Sequence, residues 1–434
     1  MQLHSATYFQ EDSEQTGLRG DFMQYGCIGE HLTHSFSKEI HNLIEDYDYV
    51  IKEIEREDLN EFMTKKDFCA INVTIPYKEL VIPYIDVISD TAKKIGAVNT
   101  VVNKDGILFG YNTDFFGMKL MLLKHGIDPC GKKALILGTG GTSKTAKAVL
   151  ENLGAEKIVF VSRSAKNGSV SYEDAEKLHN DAEIIINTTP CGMYPDTEKC
   201  PVDIDKFPCL SGVADAIYNP LRSNLILKAR ERGINATGGL YMLVAQAVFA
   251  AEKFSGKKYD DNITDKIYKK ILSQKENIVL IGMPGSGKST VGKLIEKSTD
   301  FKFIDTDALI EERKGMSISH IFEKFGEGYF RDAESEIIKE VSNKTGFIIS
   351  TGGGAILKKD NIHNLKKNGK LFFLDRPLKD LIPTSDRPLA KDADAIKKRY
   401  EERYDIYLSC ADEIIKVTGD ATKVSDEIKR SIEK

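Results

Sequence analysis

The sequence predicts an α/β protein with parallel sheets, arranged in several domains. Two apolar runs, residues 132–137 and 278–281, each enter a glycine-rich turn that is followed by a helical pattern. Such strand–turn–helix units build parallel sheets with helices on their faces. A chain of 434 residues is long enough for about three domains of ~150 residues. We therefore expect three α/β domains in succession, two of them with a nucleotide-binding turn.

Composition excludes several classes of protein. The formal net charge is −5, which argues against a nucleic-acid-binding surface as the main function. The seven cysteines show no C-x-x-C spacing, so neither a disulfide framework nor a zinc site is indicated. No apolar stretch approaches the ~18 residues of a membrane span, and the N-terminus lacks a signal-peptide core. We expect a cytoplasmic enzyme without membrane or nucleic-acid partners, and nothing in the sequence indicates its oligomeric state.

The first domain follows a polar extension, residues 1–24, that has no clear periodicity. Strand patterns then cover 25–29, 48–54 and 68–75, the last stopped by Pro76. Two short strands around Lys104-Asp105-Gly106 predict a hairpin. We place one α/β domain at 25–114, and helical patterns return at 240–274.

The second domain, residues 115–239, carries a Rossmann-type dinucleotide turn. Strand 132–137 enters Gly-Thr-Gly-Gly-Thr-Ser, and a helix is predicted over 144–153. The next strand, 157–161, ends at Ser-Arg-Ser, where a fold that prefers NAD normally has an acidic residue. An arginine there suits the 2′-phosphate of NADP, although a solvated surface cation is the alternative for Arg163. The predicted NADP ligands are Gly138, Thr139, Gly140, Gly141, Thr142, Ser162, Arg163 and Ser164.

The third domain, residues 275–434, opens with a phosphate-binding loop, Gly-Met-Pro-Gly-Ser-Gly-Lys-Ser at 282–289. Backbone N–H groups of such a loop surround a polyphosphate, and the helix N-terminus that follows favours the negative charge. Lys288 would reach the β- and γ-phosphates of ATP, and the hydroxyl of Ser289 would bind Mg²⁺. We predict a helix from Thr290 to Ser298. The predicted ATP ligands are Gly285, Ser286, Gly287, Lys288, Ser289 and Thr290.

Residues 25–274 resemble shikimate dehydrogenase. The likeness is carried by Asn-Val-Thr-Ile-Pro-Tyr-Lys at 72–78, by Asn-Thr at 99–100 and by Gly-Tyr-Asn-Thr-Asp at 110–114. It also includes Asp-Ala-Ile-Tyr-Asn-Pro at 215–220 and Gly-Leu-Tyr-Met-Leu-Val-Ala-Gln at 239–246. The resemblance implies that 25–114 is the substrate-binding domain and that the helical stretch 240–274 completes it. It also implies substrate ligands at Ser35, Ser37, Thr74, Asn99, Tyr218 and Gln246, a catalytic, substrate-contacting pair of Lys78 and Asp114, and cofactor contacts at Asp90, Ala216 and Gly239.

The implied chemistry is a hydride transfer from NADPH to a ring carbonyl. Negative charge grows on the carbonyl oxygen, and a cationic Lys78 can stabilise that charge and deliver the proton, with Asp114 orienting the lysine. Two residues depart from the family pattern. Lys38 replaces the usual Pro after the second serine, and Tyr241 replaces a second Gly close to the expected nicotinamide pocket.

Residues 276–417 resemble shikimate kinase. The likeness rests on the phosphate loop, on Asp-Thr-Asp at 305–307 ending a second strand, on Phe330 to Glu334 in a helix and on Gly352-Gly353-Gly354 after strand 347–350. The resemblance implies that Asp307 orients the attacking hydroxyl and that Asp305 assists Mg²⁺ through water. Gly353 would contact the substrate ring, and Arg387, in the lid sequence 385–389, would neutralise the transferring phosphoryl group.

Two arginines complete this second predicted site. Arg331 and Arg403 would clamp the shikimate carboxylate, because planar guanidinium groups suit that planar anion. Glu334 follows Arg331 by one helical turn and could hold it in place. Asp405 stands two residues after Arg403, where the family often has Pro.

Together these features predict a bifunctional enzyme of the shikimate pathway that uses NADP(H), ATP and Mg²⁺. Its small-molecule substrates would be 3-dehydroshikimate and shikimate. One alternative is a dehydrogenase that favours quinate with NAD, coupled to another small-metabolite kinase. Another is a metabolite-sensing regulator built from inactive enzyme domains. The serine pair and Arg163 argue against the first alternative, and the presence of Lys78, Lys288 and Asp307 argues against the second.

Overall fold

A computed structural model describes residues 22–30, 32, 36–166, 168–381 and 393–433. The predicted site residues Ser35 and Arg387, and most of the predicted extension 1–24, lie outside these ranges. The chain divides into two compact units. One comprises Met1–Thr113 with Phe249–Lys258, and the other comprises Asp114–Val248 with Tyr259–Lys434.

A mixed six-stranded sheet forms the first unit, with strand order β2-β1-β3-β5-β6-β4. Strands β1–β3 are mutually parallel, whereas β5 is antiparallel to both β3 and β6. The predicted hairpin is confirmed, and its two turn residues, Asp105 and Gly106, both have positive φ as a tight hairpin turn requires. The elements are β1 Met23–Gly29, α1 Ser37–Ile44, β2 Tyr49–Glu53, α2 Leu59–Lys65, β3 Phe68–Val73, β4 Val87–Ile88, α3 Asp90–Ile95, β5 Thr100–Lys104 and β6 Ile107–Tyr111.

One boundary of the first unit differs from the prediction. Strand β1 begins at Met23, two residues inside the predicted extension. Met23 is buried and pairs in register with Phe68, so burial against the sheet extends the strand where the local sequence shows no pattern.

The first sheet is packed on both faces. One face carries a core that includes Ile28, Ile71, Val101 and Leu108. The other face carries Tyr49, Ala70 and Val102 and is covered by Ala250 and Phe254. The helical return at 249–258 therefore supplies part of this unit's core.

The second unit contains two parallel five-stranded sheets, and the first of them has the order β11-β10-β9-β7-β8. Apolar clusters cover both of its faces, as in a doubly wound fold. The elements are α4 Asp114–Lys124, β7 Lys133–Leu137, α5 Gly141–Asn152, β8 Lys157–Val161, α6 Tyr172–Leu178, β9 Ile184–Asn187, β10 Gly212–Asp215, α7 Asn224–Glu231, β11 Asn235–Thr237, α8 Leu240–Ser255 and α9 Ile263–Lys275. Helix α8 belongs to this unit as far as Val248, and its last residues belong to the first unit.

The other parallel sheet of this unit has the order β13-β14-β12-β15-β16. The order reverses at β12, so the crevice beyond its carboxyl end is where this architecture binds ligands. The elements are β12 Asn277–Ile281, α10 Lys288–Glu296, β13 Lys302–Asp305, α11 Thr306–Lys314, α12 Ile318–Ser342, β14 Phe347–Ser350, α13 Lys359–Asn368, β15 Gly369–Asp375, α14 Ala393–Cys410, β16 Glu413–Lys416 and α15 Ala421–Ile432.

The α/β class with parallel sheets is confirmed, but two helices begin earlier than predicted and one predicted strand ends sooner. Helix α5 begins at Gly141 instead of Lys144, and α10 begins at Lys288 instead of Thr290. Asp307 lies in the first turn of α11 and not at the end of a strand, because Asp305 already caps that helix. Among the helices of the described ranges, none combines the length and apolarity that a membrane crossing needs.

Candidate active sites

The phosphate loop leaves the buried strand β12 at the switch point of the third sheet. Gly285 and Gly287 have φ of 81° and 99°, a conformation that turns the backbone sharply and that side chains with a Cβ rarely adopt. Lys288 begins α10, is 8% exposed and donates from Nζ to the carbonyl oxygens of Gly282 (2.9 Å) and Met283 (3.0 Å). The loop thus presents backbone N–H groups, a helix N-terminus and a buried cation together, which is the donor set of a polyphosphate site.

Two side chains with oxygen atoms that could bind a metal ion lie beside this loop. Ser289 Oγ donates to Asp305 Oδ2 over 2.7 Å, while Asp305 Oδ1 accepts from the N–H groups of Asp307 and Ala308. Within the described ranges, no three His, Cys, Asp or Glu side chains cluster as a metal cage. A hydroxyl and one carboxylate beside a phosphate site fit Mg²⁺, which keeps several waters and binds phosphate oxygens.

A cavity of about 480 Å³ opens over the loop. It brings together residues from β13, α12, α14 and the loop after β14 that are far apart in the chain. Most of the residues predicted for this site line it: Gly285, Gly287, Lys288, Ser289, Thr290, Asp305, Asp307, Arg331, Gly353 and Arg403. Ser286 is fully buried beneath the loop. Arg376 and Arg399 also line the cavity and were not predicted.

Arg331 is held in the cavity by acidic residues of its own helix. Its Nη1 donates to Glu334 Oε2 over 2.8 Å and its Nη2 to Glu327 Oε1 over 3.1 Å, which confirms the predicted pairing with Glu334. Burial raises the pKa of Glu334, and the Arg331 guanidinium opposes that shift. A Cβ at Gly354 would lie 2.3 Å from the Arg331 guanidinium nitrogens, so only glycine leaves room for the arginine there.

Arg403 reaches the same cavity from α14. Its Nη1 donates to the carbonyl oxygen of Gly353 over 3.0 Å, and the buried Tyr407 hydroxyl donates to the same oxygen over 2.5 Å. Asp405, at the position where the family often has Pro, is exposed on the helix. The loop 352–354 after β14 is therefore bound by α14 at Gly353 and lies against Arg331 at Gly354.

The Rossmann turn lies between β7 and α5. Thr139 and Gly140 are exposed there, and Gly141 and Thr142 open the helix, so a negatively charged group would meet a helix N-terminus. After β8, Ser162 Oγ contacts the hydroxyls of Ser169 (2.8 Å) and Ser164 (3.3 Å). Arg163 is exposed beside them and makes no hydrogen bond or ion pair to the residues that the structure describes.

The loop after β10 carries Ala216 and Tyr218 and is anchored by Asp215. This fully buried carboxylate accepts from Asn187 Nδ2 (3.0 Å), the Ile217 N–H (3.0 Å) and Ser223 Oγ (2.6 Å). Burial raises the pKa of Asp215 to about 7, although all three hydrogen bonds favour the ionised form. The role of Asp215 was not predicted; the only sequence signal was its place at the start of Asp-Ala-Ile-Tyr-Asn-Pro.

Gly239 and the residues after it pack close to the same loop. A Cβ at Gly239 would lie 2.2 Å from the carbonyl oxygen of Ala216, so the close approach requires glycine. Tyr241, which replaces a second Gly of the family pattern, packs its ring on Tyr268, and its hydroxyl donates to Asp265 Oδ1 over 2.8 Å. Gln246 is buried further along α8 and donates from Nε2 to the carbonyl oxygen of Leu243.

In the first unit, the structure gathers predicted residues at one edge of the sheet. Thr74 and Lys78 follow β3, and Asn99 precedes β5 at the same edge, where the backbone joins Val73 to Asn99 (2.8 Å) and Val98 to Lys78 (2.8 Å). Asn99 is buried and binds Thr113 through both ends of its amide.

The remaining predicted residues of the dehydrogenase site lie at helix starts. Ser37 is the first residue of α1 and is buried, whereas Lys38 next to it is exposed. Asp90 is exposed at the start of α3. Asp114 begins α4 and belongs to the second unit.

The Rossmann turn and the phosphate loop indicate the class of protein: a dinucleotide-dependent oxidoreductase joined to a P-loop phosphotransferase. Residues 27–101 match the family model described as shikimate dehydrogenase substrate binding domain, and residues 284–433 match the model for shikimate kinase. The chain is 39% identical over 271 residues to shikimate dehydrogenase (NADP(+)) of Clostridium perfringens, covering 57% of this chain and 97% of that protein. It therefore belongs to the shikimate dehydrogenase family, and its C-terminal part is a shikimate kinase domain.

Other relatives and solved structures agree for the dehydrogenase part. The shikimate dehydrogenase (NADP(+)) of Clostridium beijerinckii is 38% identical over 261 residues, with 56% of this chain and 96% of that protein covered. A chorismate mutase/shikimate 5-dehydrogenase fusion protein from Clostridium acetobutylicum matches with a TM-score of 0.54 and 35% identity, over 58% of this chain and 97% of that one. The enzyme from Thermus thermophilus, solved with NADP(H) and shikimate, matches with a TM-score of 0.51 and 27% identity, over 57% and 99%.

Proposed function

We propose that this chain catalyses two consecutive reactions of chorismate biosynthesis. The first part reduces 3-dehydroshikimate to shikimate with NADPH, and the second phosphorylates shikimate to shikimate 3-phosphate with ATP and Mg²⁺. One observation carries the proposal: a cavity beside the phosphate loop holds two arginines and an acid, Arg331, Arg403 and Asp307, in a chain whose other part belongs to a dehydrogenase family with a carboxylate-bearing product. The product of the first reaction is then the anion that the second site recognises.

In the reduction, Lys78 is the group that we assign to proton delivery. NADPH, when bound, would supply a hydride to the carbonyl carbon and become NADP⁺, and the carbonyl oxygen would take a proton from the lysine. Asp114 orients Lys78, and Ser35, Ser37, Thr74, Asn99, Tyr218 and Gln246 hold the substrate. Asp90, Ala216 and Gly239 lie toward the nicotinamide. Arg163, exposed beside Ser162 and Ser164, gives the preference for the 2′-phosphate of NADP.

In the phosphoryl transfer, Arg331 and Arg403 bind the shikimate carboxylate and Asp307 accepts the proton of the attacking hydroxyl. Lys288 and Arg387 neutralise the phosphoryl group as it moves from ATP to that oxygen. Ser289 would hold Mg²⁺ and Asp305 would assist through water; when bound, the ion would offset charge on the phosphates. Gly353 contacts the ring from the loop that Arg403 and Tyr407 hold.

The test uses purified full-length protein. Mixing it with NADPH and 3-dehydroshikimate should consume NADPH, and later addition of MgATP should yield shikimate 3-phosphate, identified by mass spectrometry. Quinate with NAD⁺ serves as the comparison substrate pair. Absence of NADPH consumption, or faster turnover of quinate with NAD⁺, would overturn the assignment of the first reaction. Absence of the phosphate ester would overturn the second.

Because both cofactors are cytoplasmic metabolites, we place the enzyme in the cytoplasm.

A further inference from the structure

Within the second unit, residues 115–239 (the Rossmann part) and residues 275–434 (the kinase part) meet through a largely buried polar interface. Arg222 lies at its centre and is 15% exposed, as is Glu276. Its Nη1 donates to Glu276 Oε1 (2.7 Å), its Nε to the carbonyl oxygen of Lys366 (2.7 Å) and its Nη2 to that of Gly369 (3.0 Å). The backbone N–H of Arg222 also donates to the carbonyl oxygen of Lys367 over 2.9 Å. One Rossmann residue thus satisfies four acceptors of the kinase part.

Further bonds flank this arginine on both sides. The Leu221 N–H donates to Asn368 Oδ1 over 2.8 Å, and Asn368 is itself fixed by donating to the Ser342 carbonyl oxygen. Lys367, which is 2% exposed, donates to Glu198 Oε1 over 2.8 Å. A buried lysine or arginine that loses its partners destabilises the folded chain, so these bonds favour the closed interface.

The position of the interface in the two sheets gives it a functional meaning. On the Rossmann side, Arg222 ends the loop that follows the carboxyl end of β10, the edge at which such folds bind ligands. On the kinase side, Glu276 precedes β12 and Gly369 begins β15, so the contact lies at the amino-terminal edge of that sheet, opposite the phosphate loop. The kinase contributes a supporting surface here and not its own site.

The loop 216–222 is therefore held at both ends by different parts of the chain. At its start, Asp215 accepts hydrogen bonds from Asn187 of the neighbouring strand, from the Ile217 N–H in the loop and from Ser223 Oγ just beyond the loop. At its end Arg222 is bound by the kinase part. Tyr218 lies between these two anchors. Removing one anchor would allow the tyrosine to sample other positions without altering any group that contacts substrate.

We propose that Arg222 is a positioning residue for the reduction, through which the kinase part holds Tyr218 in place; this rests on the proposed role of Tyr218 as a substrate ligand. The consequence is that changes on the kinase side of the interface alter the dehydrogenase reaction. The Michaelis constant for 3-dehydroshikimate depends on the Arg222–Glu276 contact. That for NADPH depends on it much less, because Ala216, the cofactor contact of this loop, stays bound to Asn187 at the other end and the phosphate-binding turn at 138–142 lies after a different strand.

The experiment compares full-length Arg222→Ala and Glu276→Gln with a matched control, Glu340→Gln. The control weakens an Arg–Glu pair of the same length, Arg313–Glu340 at 2.7 Å, that lies on the kinase surface. Arg222→Ala should raise KM for 3-dehydroshikimate about tenfold, which corresponds to about 1.4 kcal/mol, with KM for NADPH nearly unchanged. Glu276→Gln should raise it by a smaller factor, and the control should leave it at the wild-type value.

Hydrogen exchange measured by mass spectrometry shows whether the interface has opened. Peptides covering 217–222 and 363–369 should exchange faster in Arg222→Ala and Glu276→Gln than in the control. An unchanged KM for 3-dehydroshikimate in both interface variants would overturn the proposal, with or without faster exchange. If Arg222→Ala does not fold, Glu276→Gln alone decides the matter, since it retains the size of the side chain. If the wild-type protein fails to reduce 3-dehydroshikimate, the proposed function fails, which is a separate result.

Discussion

Replacing Asp215 by Asn should change how the stability of the Rossmann sheet depends on pH. Burial raises the pKa of Asp215 from its ordinary 3.8 to about 7 in the folded chain. Between about pH 4 and pH 7 the folded state therefore keeps a proton that the unfolded state has lost, and stability falls as pH rises through this range. Asn is neutral at every pH, and its amide can donate to Ser223 where the carboxylate accepted. The variant should lose this pH dependence.

The magnitude follows from the two pKa values. Each pH unit in that range is worth ~1.4 kcal/mol, so the full shift of about three units amounts to roughly 4 kcal/mol. Between pH 5 and pH 8 the wild-type protein should lose about 2–3 kcal/mol of local stability from this group alone. The variant should be the less stable protein at pH 5, where Asp215 is protonated and well bonded, and should draw level with or exceed the wild type at pH 8.

Hydrogen exchange at β9 is the appropriate measurement, because a chain of several domains does not unfold in one step. Comparing the same β9 peptide in wild type and variant at each pH removes the pH dependence of exchange itself. Ser223→Ala is the informative control: it removes a donor to the carboxylate and should deepen the loss of stability at high pH. A difference between wild type and Asp215→Asn that stays constant from pH 5 to pH 8 would refute the reasoning.

Three further predictions concern the active sites. Lys78→Ala should abolish reduction of 3-dehydroshikimate and leave phosphorylation of added shikimate intact, and Lys288→Ala should do the converse; loss of both activities in either folded variant would contradict separate sites. Arg163→Ala should weaken NADP binding about 10–100-fold and leave NAD nearly unaffected, so equal losses in the two Michaelis constants would contradict its role. Shikimate should leave the first site before it is phosphorylated. The loop that carries Tyr218 contacts the kinase part at the start of β15, whereas the phosphate loop lies near the other end of that strand. Strand β15 has seven residues, which span about 20 Å. Excess isotopically labelled free shikimate should therefore appear in the first shikimate 3-phosphate formed, and unlabelled product would contradict release.

The sequence was most informative where a segment's environment is uniform along its length. Strands β7 and β12 are almost entirely buried, so their apolar runs alone located them within a residue. Helix starts were less accurate. Helices α5 and α10 begin inside their glycine turns, and the apolar periodicity that marks a helix appears only a few residues later.

Site residues could be predicted when their partners are close in sequence or when a family motif contains them. Glu334 follows Arg331 by three residues, so helical spacing alone brought the pair together. Arg376 was missed because it lines the cavity only through the pairing of β15 with β12, a long-range contact without a local pattern. The partners of Arg222 are more than fifty residues away in the chain and are equally invisible to local reasoning.

Lys288 has already left bulk water before any nucleotide arrives. Its ammonium is buried and its charge is met by the carbonyl oxygens of Gly282 and Met283. An incoming phosphate competes with these backbone acceptors for the protons of the lysine. The lysine's contribution to ATP affinity is thus the difference between two sets of hydrogen bonds. Lys288→Ala removes the lysine's hydrogen bonds from the nucleotide-free loop as well as from the ATP complex. The ATP affinity lost in that variant is therefore smaller than the attraction between the lysine and the phosphates.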